Sequence, residues 1–159
     1  MVIQLRVDER LAHGQVCTTW INTLGATHII IANNKVANDN LQKTIMKMGI
    51  PSTCKSIFTT LDNAIGLLND SRSESLKIFL VVQTPEDALY IMERTQGINE
   101  VNVANFGQLV KKDKKIVVRV NPCLLLDEDD VEAVKKIKEK AKFVYFQDIV
   151  GHPKQTIKL

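Results

Sequence analysis

A short stretch near the amino terminus carries most of the chemically useful side chains of this chain. Residues 6–16 have the sequence RVDERLAHGQV. His13 can act as a nucleophile, a base or a ligand, because a free imidazole has a pKa of about 6.5 and is largely neutral near neutral pH. Arg10 carries a planar donor fork that matches the oxygens of a phosphate, and Asp8 is close enough to hold either side chain. This grouping predicts a site that receives a phosphoryl group.

The elements on either side of this stretch are predicted to place it at a helix N-terminus. The apolar opening of the chain, residues 1–7, predicts a strand that ends at the charged segment. A helix is expected to begin at Gly14 and to end at Gly25, because apolar residues recur at every fourth position, at Val16, Trp20 and Leu24. Free backbone N–H groups at its start would stabilise a phosphate on His13. Gly14 and Gln15 are therefore expected to bind the phosphate or support the loop.

The same succession of strand, loop and helix continues along the chain. Apolar runs predict strands at His28–Ala32, Ile78–Val82, residues 101–103 and residues 143–146, with helical periodicity between them. One domain over residues 1–159 is expected, an α/β fold with a doubly wound, mostly parallel sheet and helices on both faces. Ligands bind beyond the carboxyl ends of such strands, where Thr84 and Asn105 join His13 as candidate site residues.

Two further elements carry specific expectations. After a cap at Asn38 or Asp39, the helical spacing of Leu41, Ile45 and Met48 predicts a helix with an apolar stripe. Residues 116–120 predict a strand that ends at a proline, and therefore one at an edge of the sheet.

Composition and charge exclude several classes of function. The chain has 159 residues, 45% hydrophobic and 25% charged, with a net charge of +3. This charge is too small and too dispersed to indicate binding of nucleic acid or an anionic membrane. The basic run at 111–115 is interpreted as a solvated turn. The glycines form no Walker loop or dinucleotide fingerprint, which disfavours an enzyme that uses ATP or NAD.

The remaining reactive side chains are assigned structural places. Cys17, Cys54 and Cys123 lack the spacing of a zinc or redox site and are expected to be reduced and half-buried. With no signal peptide and no run of about 20 apolar residues, a cytosolic location is expected. His28 and Trp20 are interpreted as structural, whereas His152 stays open between a tail residue and a residue that approaches the site. Arg6 and Glu9 are interpreted as an ordinary exposed ion pair.

The stretch at residues 6–16 closely resembles the signature of the IIB components of the mannose/fructose/sorbose family of the bacterial sugar phosphotransferase system (PTS). The resemblance covers most of the chain. Residues 29–37 resemble the second strand and the following loop of the family, residues 101–106 a strand-to-loop segment, and residues 127–137 a helix with an acidic start.

This resemblance implies a cytosolic phosphotransferase component. It would accept a phosphoryl group from the phosphohistidine of a IIA partner and pass it to a sugar that enters through the membrane components IIC and IID. His13 matches the phosphorylated histidine, linked through Nδ1. Arg10 matches the arginine that neutralises the phosphoryl group, and Asp8 the aspartate of the same loop. No metal or organic cofactor is implied, and the family's sheet has one antiparallel strand near its C-terminal part.

Two other functions remain open from the residues alone. One is a non-catalytic α/β domain that binds a small anion or regulates a partner, with Arg10 and His13 as ligand contacts. The other is a receiver-like domain phosphorylated on an acid such as Asp8. A homodimer and any sugar class are compatible with the sequence. Because a protonated imidazole cannot attack phosphorus, transfer through His13 is expected to slow as the pH falls from about 8 to about 5.

Overall fold

A computed structural model describes residues 1–109 and 115–159, apart from the side chains of Gln15 and Val16. The predicted solvated turn at 111–115 therefore lies outside the described residues except for Lys115. The strands are β1 (Val2–Asp8), β2 (His28–Ala32), β3 (Lys55–Thr59), β4 (Ile78–Val82), β5 (Glu100–Asn105), β6 (Val118–Asn121), β7 (Leu124–Leu126) and β8 (Phe143–Tyr145). The helices are α1 (Gly14–Leu24), α2 (Asn40–Lys47), α3 (Leu61–Asn69), α4 (Pro85–Met92) and α5 (Glu128–Lys140), with short 3₁₀ turns at Val36–Asn38 and Ser71–Ser75.

Six of the strands form one parallel sheet, in the order β3-β2-β4-β1-β5-β8. Parallel neighbours need a crossover, which the helices supply, so the predicted doubly wound α/β fold is confirmed. β1 lies inside the sheet between β4 and β5. The loop after β1 is consequently bordered by the loops that follow its two neighbours.

The antiparallel strand lies outside this sheet. Residues 116–120 were expected at an edge of the main sheet, but the strand is Val118–Asn121 and it pairs with β7 in a separate two-stranded sheet. The reason is the turn that follows: Asn121 Oδ1 accepts a hydrogen bond from the Cys123 N–H at 3.0 Å, which reverses the chain at once. The pair meets the main sheet through an isolated bridge between Phe106 and Leu124.

Each face of the sheet is covered by its own hydrophobic core. α3, α4 and α5 cover one face, over residues that include Leu5, Val7 and Leu80. α1 and α2 cover the other, where Trp20 is 3% exposed, as its interpretation as a core residue predicted. Cys17 and Cys54 are free and buried in this second core, deeper than the predicted half-buried state, whereas Cys123 is free and partly buried. Of the helices among the described residues, none is long and apolar enough to cross a membrane.

The apolar stripe predicted for α2 faces solvent. Leu41, Ile45 and Met48 are 67%, 46% and 83% exposed. The helix packs instead through Met46, which is buried. Periodicity shows that one side of a helix is apolar, but not whether the chain itself supplies something to cover that side. Asp39, one of the two predicted caps, does begin the helix by accepting a hydrogen bond from the Gln42 N–H.

Candidate phosphoryl-acceptor site

The floor of the site follows from the alternation of side chains along β1. Leu5 and Val7 point into the core under α4, so Arg6 and Asp8 point to the opposite face, towards α1. Both are buried, at 3% exposure each. The Arg6 guanidinium lies over the Trp20 ring, 5.0 Å from its centre. Burial lowers the pKa of Arg6, and the Asp8 carboxylate opposes part of this shift.

Asp8 holds two arginines at once. Its Oδ2 accepts a hydrogen bond from Arg6 Nη2 at 3.2 Å, and its Oδ1 accepts one from the Arg10 N–H at 3.0 Å. The Arg10 Nε lies 3.6 Å from the same Oδ1. The carboxylate therefore fixes both the backbone and the side chain of Arg10 above a buried cation.

Arg10 reaches across to Asn105, the last residue of β5. With the Asn105 amide oriented to satisfy its neighbours, its oxygen accepts from Arg10 Nη2 at 2.6 Å and Nε at 2.8 Å. The amide nitrogen then donates to the Cys123 carbonyl oxygen at 3.3 Å. About half of the Arg10 side chain is exposed, at 49%. The guanidinium is held along one edge and keeps donors available for an anion at the surface.

His13 is the exposed N-cap residue of α1. Its extended backbone and the left-handed Gly14, at φ +60°, turn the chain into the helix. The ring nitrogen Nδ1 contacts the Arg10 carbonyl oxygen. Leu11 also has positive φ, at 56°, in the turn closed by its N–H donating to the Asp8 carbonyl oxygen. Such a conformation in a buried leucine costs about 1–2 kcal/mol, so the rest of the fold imposes the shape of this loop.

Arg6 and Glu9 do not form the predicted exposed ion pair. Both are buried, and Arg6 pairs with Asp8 while donating to the carbonyl oxygens of Gln147 and Asp148 at 3.2 and 2.9 Å. The Glu9 carboxylate accepts hydrogen bonds from the N–H groups of residues 107–109. Arg6 and Glu9 are three positions apart on a nearly extended segment, so their side chains leave on opposite sides.

A small pocket lies beneath the loop. Its polar wall is formed by Arg6, Asp8, Arg10 and His13, and its apolar floor includes Trp20 and Phe79. Cys17 also lines the pocket, but burial and the nearby Cys54 raise the pKa of its thiol to about 12. The thiol is therefore neutral at physiological pH and a poor nucleophile. Within the described part of the chain, no cluster of three or more histidine, cysteine or acidic side chains could hold a metal ion.

The structure brings four of the predicted site residues together: Asp8, Arg10, His13 and Asn105. Gly14 is the first residue of α1, and the side chain of Gln15 is outside the described residues. Thr84 serves as a helix cap, its Oγ1 accepting from the Asp87 N–H at 3.0 Å.

Other residues support the site that were not predicted from the sequence to do so. From the loop after β4, Gln83 reaches the site by donating to the Glu9 carbonyl oxygen at 3.2 Å. Sequence reasoning missed Gln83 and the roles of Arg6 and Glu9. Strand parity could have identified Arg6, because it shares the face of Asp8.

His152 lies on the segment that Arg6 holds. Its Nδ1 is 2.9 Å from Asp148 Oδ1, and the Asp148 carbonyl oxygen accepts from Arg6. Burial acts to raise the pKa of Asp148, but hydrogen bonds from His152 and the Ile149 N–H outweigh it and leave that pKa lowered. His28 is the first residue of β2, at the amino ends of the strands, whereas the site lies at their carboxyl ends. Its Nδ1 is 2.9 Å from Thr27 Oγ1.

Comparison with known proteins identifies the family of this chain. The family model of the PTS sorbose subfamily IIB component matches residues 2–158. A probable phosphotransferase enzyme IIB component of Streptococcus pyogenes serotype M6 is 33% identical over 150 residues, 94% of this chain and 92% of that protein. The crystal structure of the N-acetylgalactosamine-specific IIB component 1 of Escherichia coli superposes with a TM-score of 0.87 at 28% identity, covering 99% of this chain and 100% of that one.

A third relative joins two components in one polypeptide. The mannose-specific EIIAB component of Escherichia coli K12 is 29% identical over 155 residues, which are 97% of this chain and 46% of that protein. The matches span almost the whole chain and include the loop that carries His13. The chain belongs to the sorbose subfamily of PTS IIB components, the sugar-transport phosphotransferase family that its opening motif resembles.

Proposed function

We propose that this IIB component accepts a phosphoryl group on His13 from a phosphorylated IIA partner and transfers it to an incoming sugar. One observation carries the proposal: an exposed histidine at the N-cap of α1 shares a pocket with Arg10, whose guanidinium is fixed by Asp8 and Asn105. A nucleophile, a cation and the positive end of a helix converge there.

The first transfer replaces one N–P bond by another, and the second replaces an N–P bond by an O–P bond. In the first step a lone pair of the His13 ring attacks phosphorus, and the N–P bond to the donor histidine breaks. In the second a sugar hydroxyl oxygen attacks, the bond to His13 breaks, and the hydroxyl proton leaves to solvent or a base. The protein contributes position and charge, because Arg10 and the first N–H groups of α1 stabilise the equatorial oxygens.

The ring must turn if Nδ1 is the phosphorylated atom, as the family resemblance implies. In the structure Nδ1 faces the Arg10 carbonyl oxygen, which a ring N–H satisfies. Rotation of the imidazole, with the ring proton moved from Nδ1 to Nε2 through solvent, frees the Nδ1 lone pair for attack, and the exposed position of His13 leaves room for this. The Arg10 carbonyl oxygen thus orients the imidazole before phosphorylation, and the Arg10 guanidinium is positioned to bind the phosphoryl group.

The fused relative supports a IIA partner for this chain. Because the Escherichia coli mannose protein is an EIIAB component, a IIA unit and a IIB unit occur in one polypeptide there. We infer that a IIA domain or protein docks over His13 here. The membrane components IIC and IID would receive the phosphorylated protein at the cytoplasmic side of the membrane.

Labelled phosphate tests the proposal through its chemical stability. After incubation with phosphoenolpyruvate, the general phosphotransferase proteins and a IIA component, the chain should carry label that is lost in acid and retained in alkali. A phosphohistidine behaves in this way, whereas an acyl phosphate on Asp8 is lost in alkali. Label with the stability of an acyl phosphate, or no label at all with an active donor, would contradict the proposal.

The exposed apolar face of α2 (Leu41, Ile45 and Met48) is expected to contact the IIA donor. The segment that follows α2 adjoins α1, since Thr18 Oγ1 in the second turn of α1 donates to the Gly49 carbonyl oxygen. A Cβ at Gly49 would lie 3.0 Å from the Gly14 oxygen. A donor that reaches His13 therefore lies against the end of α2 and covers apolar surface.

Replacing Ile45 and Met48 together by glutamine should raise the KM for phosphorylated IIA about tenfold, because an apolar contact worth about 1.4 kcal/mol is lost. The midpoint of urea unfolding should not change, since both side chains are exposed. Phe143→Gln is the matched control. Phe143 is a large apolar residue at the amino end of β8, and it is 62% exposed. Equal KM values for the double variant and the control would contradict donor docking on α2.

A further inference from the structure

We propose that Glu9 is a positioning residue for phosphoryl transfer. Its carboxylate holds the turn at residues 107–109, and through Asn105 it keeps the Arg10 guanidinium aimed at the phosphoryl group on His13. This inference rests on the proposed acceptor role of His13. It concerns a residue that sequence reasoning assigned to a surface ion pair.

The Glu9 carboxylate binds a turn 98 residues further along the chain. It accepts hydrogen bonds from the N–H groups of Gly107 at 3.0 Å, Gln108 at 3.2 Å and Leu109 at 3.1 Å. Three consecutive N–H groups directed at one anion form a backbone nest, and hydrogen bonds to a charged acceptor are stronger than neutral ones. Glu9 is 5% exposed, so little water competes with these bonds.

The backbone of Glu9 forms hydrogen bonds with two neighbouring segments, the end of β5 and the loop after β4. Its N–H donates to the Asn105 carbonyl oxygen at 2.8 Å, and its own carbonyl oxygen accepts from Gln83 Nε2 at 3.2 Å. Gln83 Oε1 in turn accepts from Asn33 Nδ2 at 3.2 Å. Loops after the adjacent strands β2, β4, β1 and β5 are thus joined by hydrogen bonds through Glu9.

The turn at 107–109 is clamped from its other side by β7. Gly107 has φ +99°, and a Cβ there would lie 2.0 Å from the Leu125 carbonyl oxygen. The Leu125 N–H donates to the Phe106 carbonyl oxygen at 2.9 Å. Glu9 and β7 therefore hold the segment between them, and removing the negative charge of Glu9 leaves three donors without their anion. We expect the turn to move as a result, and with it Asn105, the last residue of β5, two positions before the turn.

Arg10 depends on that position. Its Nη2 and Nε both donate to the Asn105 amide oxygen, so a displacement of Asn105 redirects the guanidinium. A misplacement of about 1 Å in a group that stabilises transferred charge can cost about 100-fold in rate. Glu9 contacts none of the transferred atoms, and its effect is expected to pass through Arg10.

A double-mutant cycle between Glu9→Gln and Arg10→Ala tests this dependence. Single-turnover transfer from labelled phospho-IIA is measured in the full chain. Glu9→Gln should lower the transfer rate about 10- to 100-fold in the wild-type background, with the KM for the donor changed less than about twofold. In the Arg10→Ala background the same substitution should lower the rate less than about threefold, because the side chain it positions is already absent.

Asp70→Asn is the matched control. The Asp70 carboxylate also accepts a hydrogen bond from a backbone N–H, that of Arg72 at 2.9 Å. It lies near the amino ends of β2 and β4, away from the site. Its transfer rate should equal that of the wild type. If Glu9→Gln does not fold, as judged by circular dichroism, Glu9→Asp is used in the same cycle. The shorter side chain keeps the charge but cannot span all three donors, and a loss of about 3- to 10-fold is expected, again only when Arg10 is present.

Equal losses in both backgrounds would show that Glu9 acts independently of Arg10 and would overturn the inference, as would an unchanged rate in a folded variant. These outcomes are distinct from a failure of the acceptor role itself. Label retained on His13→Ala would remove the proposed function. Label that depends on His13 but not on Glu9 would remove only the positioning role.

Discussion

Replacing His13 by alanine is expected to abolish phosphoryl uptake from phosphorylated IIA. The imidazole is the one nucleophile proposed to bond to phosphorus, and the nearby Cys17 thiol cannot replace it, because burial holds its pKa at about 12. His13 is exposed, so its truncation should leave the fold intact. The measurement is retention of labelled phosphate after a fixed incubation with the donor, together with the midpoint of urea unfolding.

The other two histidines provide the controls. His28→Ala and His152→Ala should take up label at wild-type stoichiometry, since His28 lies at the amino end of β2 and His152 pairs with Asp148 in the C-terminal segment. Label on His13→Ala would contradict the assignment. If that label were lost in alkali, the acceptor would be an acid such as Asp8, and the receiver-like alternative would replace the phosphocarrier.

Replacing Asp8 by asparagine should lower both stability and transfer. Arg6 is buried, and the Asp8 carboxylate is its ionic partner at 3.2 Å, so the variant leaves a buried cation without compensating charge. Loss of one member of a buried ion pair typically costs about 3–5 kcal/mol in the free energy of unfolding. The same substitution weakens the support of Arg10, so transfer by the remaining folded protein should also slow. Urea unfolding measures the first effect, and single-turnover transfer measures the second.

An exposed ion pair gives the comparison for stability. Glu132 lies 3.5 Å from Lys135 on α5, and both side chains are largely solvated. Glu132→Gln should change the free energy of unfolding by less than about 0.5 kcal/mol, because water screens such pairs. If Asp8→Asn were no more destabilising than Glu132→Gln, Arg6 would not depend on Asp8 for its buried charge.

The grouping of Asp8, Arg10 and His13 was predictable because it is local. These residues fall in one turn between β1 and α1, and the Leu11 N–H closes that turn on the Asp8 carbonyl oxygen. The alternation of strands and helices likewise predicted the parallel sheet, since short-range periodicity records which side of each element is buried. Asn105 was placed near the site by its position after a strand, and the structure brings it to Arg10.

Contacts between distant segments were not predictable in the same way. The Glu9 carboxylate binds N–H groups 98 to 100 residues away, and backbone donors carry no sequence signature. The apolar stripe of α2 was predictable, but its exposure to solvent was not, because the pattern is the same whether the covering surface belongs to this chain or to a partner. β6 and β7 form their own sheet because the short turn at Asn121 to Cys123 pairs them with each other rather than with an edge strand of the main sheet.

The sequence by itself determined that a histidine, an arginine and an aspartate meet at the start of a helix on an α/β sheet. Local spacing and periodicity are sufficient for that conclusion. Only the tertiary structure decided how the three are held: Asp8 between two arginines, Arg10 on Asn105, and the Glu9 carboxylate at the turn after β5. Orientation at the site depends on buried charges that find partners across the sheet, and those partners are fixed by packing rather than by distance along the chain.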